Sequence, residues 1–223
     1  MATVFDLRPQ MRRDNVVLYH DIVCPWCYVG LFQAARLEQQ FGIEITWLGA
    51  ELFPPDLDGP PSNPGPRPAI VRDPNKPNRF DDFTVAEGVA MSDVRPGFVR
   101  SHRALLALEF AKTLGHETFN LFNTAIYKAY WEQYADIENI DVLREIAKGV
   151  GIDDAAMATS VDGEAYANQI LPFDDGAYGA GVRNVPTFIF GANEVMAEAN
   201  YDDLARAMER FLGRVRRLPE GTL

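Results

Sequence analysis

The chain has almost no cysteine: two in 223 residues, both within Cys24-Pro25-Trp26-Cys27. Two sulfurs cannot build a disulfide scaffold, so a lone C-x-x-C is either catalytic or half of a metal site. Histidine is nearly as scarce. His20, His102 and His116 form no H-x3-H pair, and a structural zinc site would have to be assembled from scattered ligands. Basic residues are outnumbered, 21 Lys and Arg against 32 Asp and Glu, giving a formal net charge of −11. That balance argues against a nucleic-acid surface, because phosphate contacts need clustered Lys or Arg. No apolar run approaches the roughly 18 to 20 residues needed to cross a bilayer. Residues Met1 to Arg8 carry Asp6 inside their only apolar run and a basic residue after it, the reverse of a secretory signal, so cytoplasmic residence is expected.

What is present suffices for a large core, with 47% hydrophobic residues. Val16 to Val23 is β-branched and too short for a typical helix, which predicts a buried strand. A helical pattern follows Cys24 through Leu31, Ala34 and Leu37 until Gly42 stops it, and Ile43 to Leu48 alternates as a second strand. Together these make one βαβ unit with a right-handed crossover. Pro54 to Pro77 holds nine prolines and predicts an extended loop, whether lid, binding loop or disordered segment. From Phe98 to about Ala180 the pattern is helical, with Pro172 separating two shorter helices. Thr187 to Phe190 and Val195-Met196 flank Gly191-Ala192-Asn193-Glu194 as a hairpin, and a helix striped by Tyr201, Leu204, Met208 and Phe211 closes the chain, with Arg214, Arg216 and Arg217 near its negative end. The fold class is therefore α/β: a thioredoxin-like core (β-α-β … β-β-α), residues 14–53 and 181–218, interrupted by a Pro-rich connection, 54–97, and an all-helical insertion, 98–180.

The position of the sulfurs predicts redox chemistry. A thiol attacks only as thiolate, and Cys24 at a helix start would face the unpaired N–H groups and positive dipole end of the first turn. Pro25 suits the first helical position because it has no N–H to lose. Cys27, one turn deeper, would be shielded, so Cys24 is expected exposed and attacking and Cys27 resolving. The competing account is two buried cysteines packed as small apolar residues. Pro186 after Val185 precedes a strand, where a cis peptide would turn the backbone of Val185 toward an extended substrate; an ordinary trans proline at an edge strand is the alternative. Asp21, three residues before Cys24, is either a partly buried carboxylate moving protons for Cys27 or a solvated strand end. Trp26 is expected exposed, as an aromatic platform for substrate or as a shield for the disulfide, and His20 as a packing residue.

Four stretches, Asp21 to Gly30, Ser101 to Leu105, Asp136 to Leu143 and Gly181 to Phe188, resemble the DsbA-like branch of the thioredoxin superfamily and most closely its cytoplasmic FrnE-type members, sometimes described as 2-hydroxychromene-2-carboxylate isomerase-like. The resemblance implies Cys24 as nucleophile, Cys27 as resolving thiol and Pro186 as the cis-proline beside them. It implies a thiol–disulfide oxidoreductase acting on protein or small-molecule thiols, with no cofactor beyond its own disulfide and glutathione as a candidate co-substrate. Two departures stand out: the Pro-rich segment is longer than the family pattern, and the dipeptide is Pro-Trp where strongly oxidising periplasmic relatives carry Pro-His. The alternatives are a kappa-class type glutathione-dependent isomerase or transferase on the same fold, or a non-catalytic module, dimeric or metal-holding. A homodimer is left open.

Overall fold

The computed structural model describes residues 14–55, 59–73, 75–76, 78–173, 177–178, 181–191 and 194–216. The N-terminal stretch Met1 to Arg8, Pro74 and Pro77 of the loop, Ala192 and Asn193 of the hairpin, and Arg217 lie outside them.

Strand β1 (Val16–His20) is buried at every position and forms the centre of a five-stranded sheet. It runs parallel to β2 (Ile45–Glu51) and antiparallel to β4 (Thr187–Phe190), which pairs with β5 (Glu194–Ala197). Burial on both faces is why β1 reads as a continuous apolar run rather than an alternating one. The strand ends earlier than its β-branched composition predicts. Asp21 turns the chain by accepting the N–H of Val23 on its side chain, and Cys24 N–H bonds back to the Asp21 carbonyl.

Helix α1 (Pro25–Phe41) crosses from β1 to β2, with Pro25 at its first position and Gly42 closing it in the left-handed region at φ 64°. Leu31, Ala34 and Leu37 are buried along one stripe. Each large apolar side chain so placed contributes about 1.5–3 kcal/mol. Helix α2 (Arg79–Glu87) follows the Pro-rich segment; α3 (His102–Lys112), α4 (His116–Gln133), α5 (Ile140–Gly149) and α6 (Asp154–Asp162) pack on one another, and α3 also packs on β2. The final helix, α7 (Tyr201–Val215), packs on α1 and β4.

The stretch predicted as helical throughout returns to the sheet. Leu171–Pro172 forms a short edge strand, β3, parallel to the end of β2, with Pro172 opposite Glu51. Pro172 thus sits inside a strand, between the 3-10 turn Ala167–Gln169 and the helical residues 177–178, rather than at a plain break between two helices. Proline is tolerated there because an edge strand has one side free of ladder hydrogen bonds.

The described part of the Pro-rich segment is a strap laid along residues 93–98. Asn63, Arg67 and Ile70 donate N–H bonds to the carbonyls of Phe98, Arg95 and Asp93, and Gly97 donates back to Gly65. Gly97 is required by this approach: a Cβ on it would stand 1.8 Å from the Asn63 carbonyl oxygen.

Candidate active site

The site forms where β1 and β2 deliver their carboxyl ends. Cys24 is the N-cap of α1, in extended backbone, and no carboxylate occupies the first turn. Its exposure is only 6%, lower than its predicted openness, because the thiol turns inward and donates to the carbonyl of Val185 at 3.3 Å. The Val185–Pro186 peptide is cis. Val185 is itself buried, so its carbonyl faces the sulfur rather than open solvent. Gly30 lets α1 pass this corner: a Cβ there would meet the Pro186 Cβ at 3.2 Å.

Cys27 is deeper, at 1% exposure, and its sulfur accepts the backbone N–H of Asp21 at 3.5 Å. Burial first, then hydrogen bonding and charge from Cys24, pushes its thiol well above the ordinary value. The two sulfurs are thus inequivalent: one beside an accepting carbonyl near the surface, the other sealed beneath it.

Asp21 is fully buried rather than partly so. Its carboxylate accepts the N–H of Leu52 at 2.8 Å and of Val23 at 3.3 Å. Desolvation nevertheless outweighs these bonds and raises its pKa from 3.8 to about 6, with the carboxylate of Glu51 adding to the rise. Glu51, also buried, binds Nδ1 of the partly buried His102 at 2.8 Å and thereby raises the histidine's pKa. Its Oε1 has no hydrogen-bond partner among the described residues, while the Ser101 hydroxyl faces the Asp21 carboxylate and works against the rise in that group's pKa.

The helical block braces this turn from behind. Tyr127 donates to the Asp21 carbonyl at 3.3 Å and Trp131 Nε1 to the Ile22 carbonyl at 2.8 Å, both from α4. His20 bonds Tyr127 through Nδ1 at 2.9 Å, and burial, aided by the Lys112 cation, lowers its pKa to about 3. It is a neutral packing residue, as its place on the strand predicts.

Trp26 is less exposed than its place between the cysteines predicts. Its ring lies half-buried under α2, against Phe80 and Phe83 at centroid distances of 5.1 and 4.8 Å, with the Arg79 guanidinium stacked 4.8 Å away. No group of His, Cys, Asp and Glu side chains able to hold a metal ion occurs among the described residues. No helix of the described residues is long and apolar enough to cross a membrane.

A family model for the DSBA-like thioredoxin domain matches residues 15–209. The chain belongs to the DSBA-like thioredoxin family. The uncharacterized protein YwbO of Bacillus subtilis (strain 168) is 28% identical over 202 residues, covering 87% of this chain and 95% of that one. Among solved structures, a probable DsbA oxidoreductase from Streptomyces coelicolor superposes with a TM-score of 0.70 at 20% identity, covering 94% and 93% of the two chains. A 2-hydroxychromene-2-carboxylate isomerase superposes at 0.62 and 16% identity, covering 91% and 96%. Within this DSBA-like frame, sequence reasoning placed the two sulfurs, Asp21, Val185 and Pro186 in one site. It did not find Glu51, Tyr127 and Trp131. The Tyr127-x3-Trp131 spacing on one face of α4 was visible, but an aromatic pair at helical spacing looks the same in any core.

Proposed function

We propose that this protein is a thiol–disulfide oxidoreductase in which Cys24 exchanges with substrate and Cys27 resolves. The observation that carries the reading is the inequivalent placement of two sulfurs on one helical turn: Cys24 against the Val185 carbonyl, Cys27 buried on the Asp21 amide. Two packing cysteines would not require a donor and an acceptor aimed at them from separate segments.

In the oxidising direction a substrate thiolate attacks the Cys24 sulfur of the intramolecular disulfide. The Cys24–Cys27 bond breaks, a mixed disulfide forms on Cys24, and the electron pair leaves on Cys27. Because burial disfavours a Cys27 thiolate, that sulfur takes up a proton, and the Asp21 carboxyl group is placed to give it. A second substrate thiolate then attacks the substrate sulfur and releases oxidised substrate and Cys24. In the reducing direction the Asp21 carboxylate accepts the Cys27 proton as that sulfur attacks the mixed disulfide. A leaving or attacking Cys24 lies at the amino end of α1, the positive end of that helix's dipole.

The substrates are thiols and disulfides of proteins or small molecules, glutathione among them, and the acidic composition with the sparse cysteines fits a cytoplasmic setting. The intact second sulfur disfavours a single-thiol isomerase or transferase. Insulin reduction and oxidative refolding of a reduced protein test the reading together. Dithiol-dependent activity in at least one is expected, and absence of both refutes it.

A further inference from the structure

A cavity of about 390 Å³ opens beside the redox turn, lined by Val23, Pro25 and Trp26 on one side and by the strap and α2 on the other. Its walls are largely aromatic, with Trp26, Phe80, Phe98 and Trp131 facing it. Its polar groups are mostly engaged: Tyr130 donates to the Gly97 carbonyl, Asn78 accepts Phe80 N–H, and Asp81 is held by Arg72. Arg95 is the exception. Its Nη1 is buried and has no hydrogen-bond partner among the described residues, and its guanidinium lies 5.6 Å over the Phe80 ring. Burial, with the nearby Arg72 cation, lowers the pKa of Arg95, and the neighbouring carboxylates of Asp81 and Asp93, both engaged by Arg72, offset this only in part. Arg67 adds a second, exposed guanidinium at the rim. In a chain of net charge −11, gathering cations at the mouth of the redox site selects for an anion.

We propose that this cavity binds low-molecular-weight thiols or disulfides that carry an aromatic ring and a carboxylate, the ring stacking among Trp26, Phe80 and Phe98 and the carboxylate pairing with Arg95. The proposal rests on the redox reading and gives it a substrate class. The strap supplies the specificity: Arg67 belongs to it, and its hydrogen bonds to residues 93–98 fix the backbone that carries Arg95. The volume suits one small molecule rather than a polypeptide segment.

The test has a kinetic and a binding arm. Reduced wild-type enzyme is mixed with dithiobis(nitrobenzoate), aromatic and anionic; dithiodipyridine, aromatic and uncharged; and glutathione disulfide, anionic and aliphatic. Arg95→Gln is expected to slow reaction with the first about ten-fold, the worth of a charge-assisted hydrogen bond, while leaving dithiodipyridine within about two-fold because no charge is lost to it. Phe80→Ala should slow both aromatic disulfides and spare glutathione disulfide. Arg206→Gln, on distant α7, controls for general charge steering. Equal slowing by Arg206→Gln, or no selective effect of Arg95→Gln, overturns the proposal. In the binding arm, the Cys24→Ser/Cys27→Ser double variant is titrated calorimetrically with dithiodibenzoate and with its uncharged diamide. Tighter binding of the carboxylate, lost in Arg95→Gln, upholds the pocket even if the thiols prove unreactive, whereas equal binding of both overturns it.

Discussion

The Cys24 thiol donates to the Val185 carbonyl at 3.3 Å across 161 residues of sequence, so the first redox sulfur and the loop before β4 form one unit. An incoming substrate sulfur must approach beside that carbonyl, and Pro186 and Gly30 form the wall behind it.

That wall gives the first prediction. Gly30→Ala adds a methyl group 3.2 Å from the Pro186 Cβ. Replacing a mid-helix glycine gains about 1 kcal/mol, and crowding Pro186 costs a similar amount. The urea midpoint should therefore move little while disulfide exchange slows several-fold. Unchanged exchange with an unchanged midpoint would show that the corner is loosely packed and positions nothing.

Asp21 gives a prediction with a definite sign. The folded chain holds this proton to about pH 6, whereas the unfolded chain releases it near 3.8. Stability from this group is thus greatest in acid and falls as pH rises between these values, by on the order of 2–3 kcal/mol. Asp21→Asn removes the penalty of a buried charge but keeps one acceptor for Leu52. Urea titrations from pH 4 to 8 should show the variant gaining on wild type through that window, while its resolution of a mixed disulfide slows. Parallel stability curves would mean that Asp21 is not the titrating group.

The Glu51–His102 pair gives a third. The carboxylate raises the histidine's pKa above 6.5, so His102 stabilises the fold below that value and loses the contribution as pH rises through its elevated one. Glu51→Gln should bring the His102 proton-NMR titration midpoint back down toward 6.5. A midpoint that stays put would place the cause elsewhere.

Much of this site was legible in the sequence because its central chemistry is local. Cys24, Pro25 and Cys27 share one helical turn, and the strand, the helix start and the Gly42 stop are set by neighbouring residues. What stayed hidden depends on long-range partners. Nothing near Trp26 shows that α2 covers it, since Phe80 and Phe83 lie beyond the strap. Nothing near Pro172 shows that it pairs beside Glu51, because a two-residue edge strand carries no periodicity. Arg95 reads as one more surface arginine until the strap is laid against it.

The most direct measurement is to map where a substrate is caught. Cys27→Ala and Cys24→Ala enzymes are each reacted with glutathione disulfide, and the adducts are located by mass spectrometry beside the wild type. The account predicts a stable mixed disulfide on Cys24 in the first variant, slow or absent modification of Cys27 in the second, and an internal Cys24–Cys27 disulfide with no retained adduct in the wild type. Equal modification of either lone cysteine, or a wild type that keeps two free thiols after prolonged exposure to excess oxidant, would contradict it.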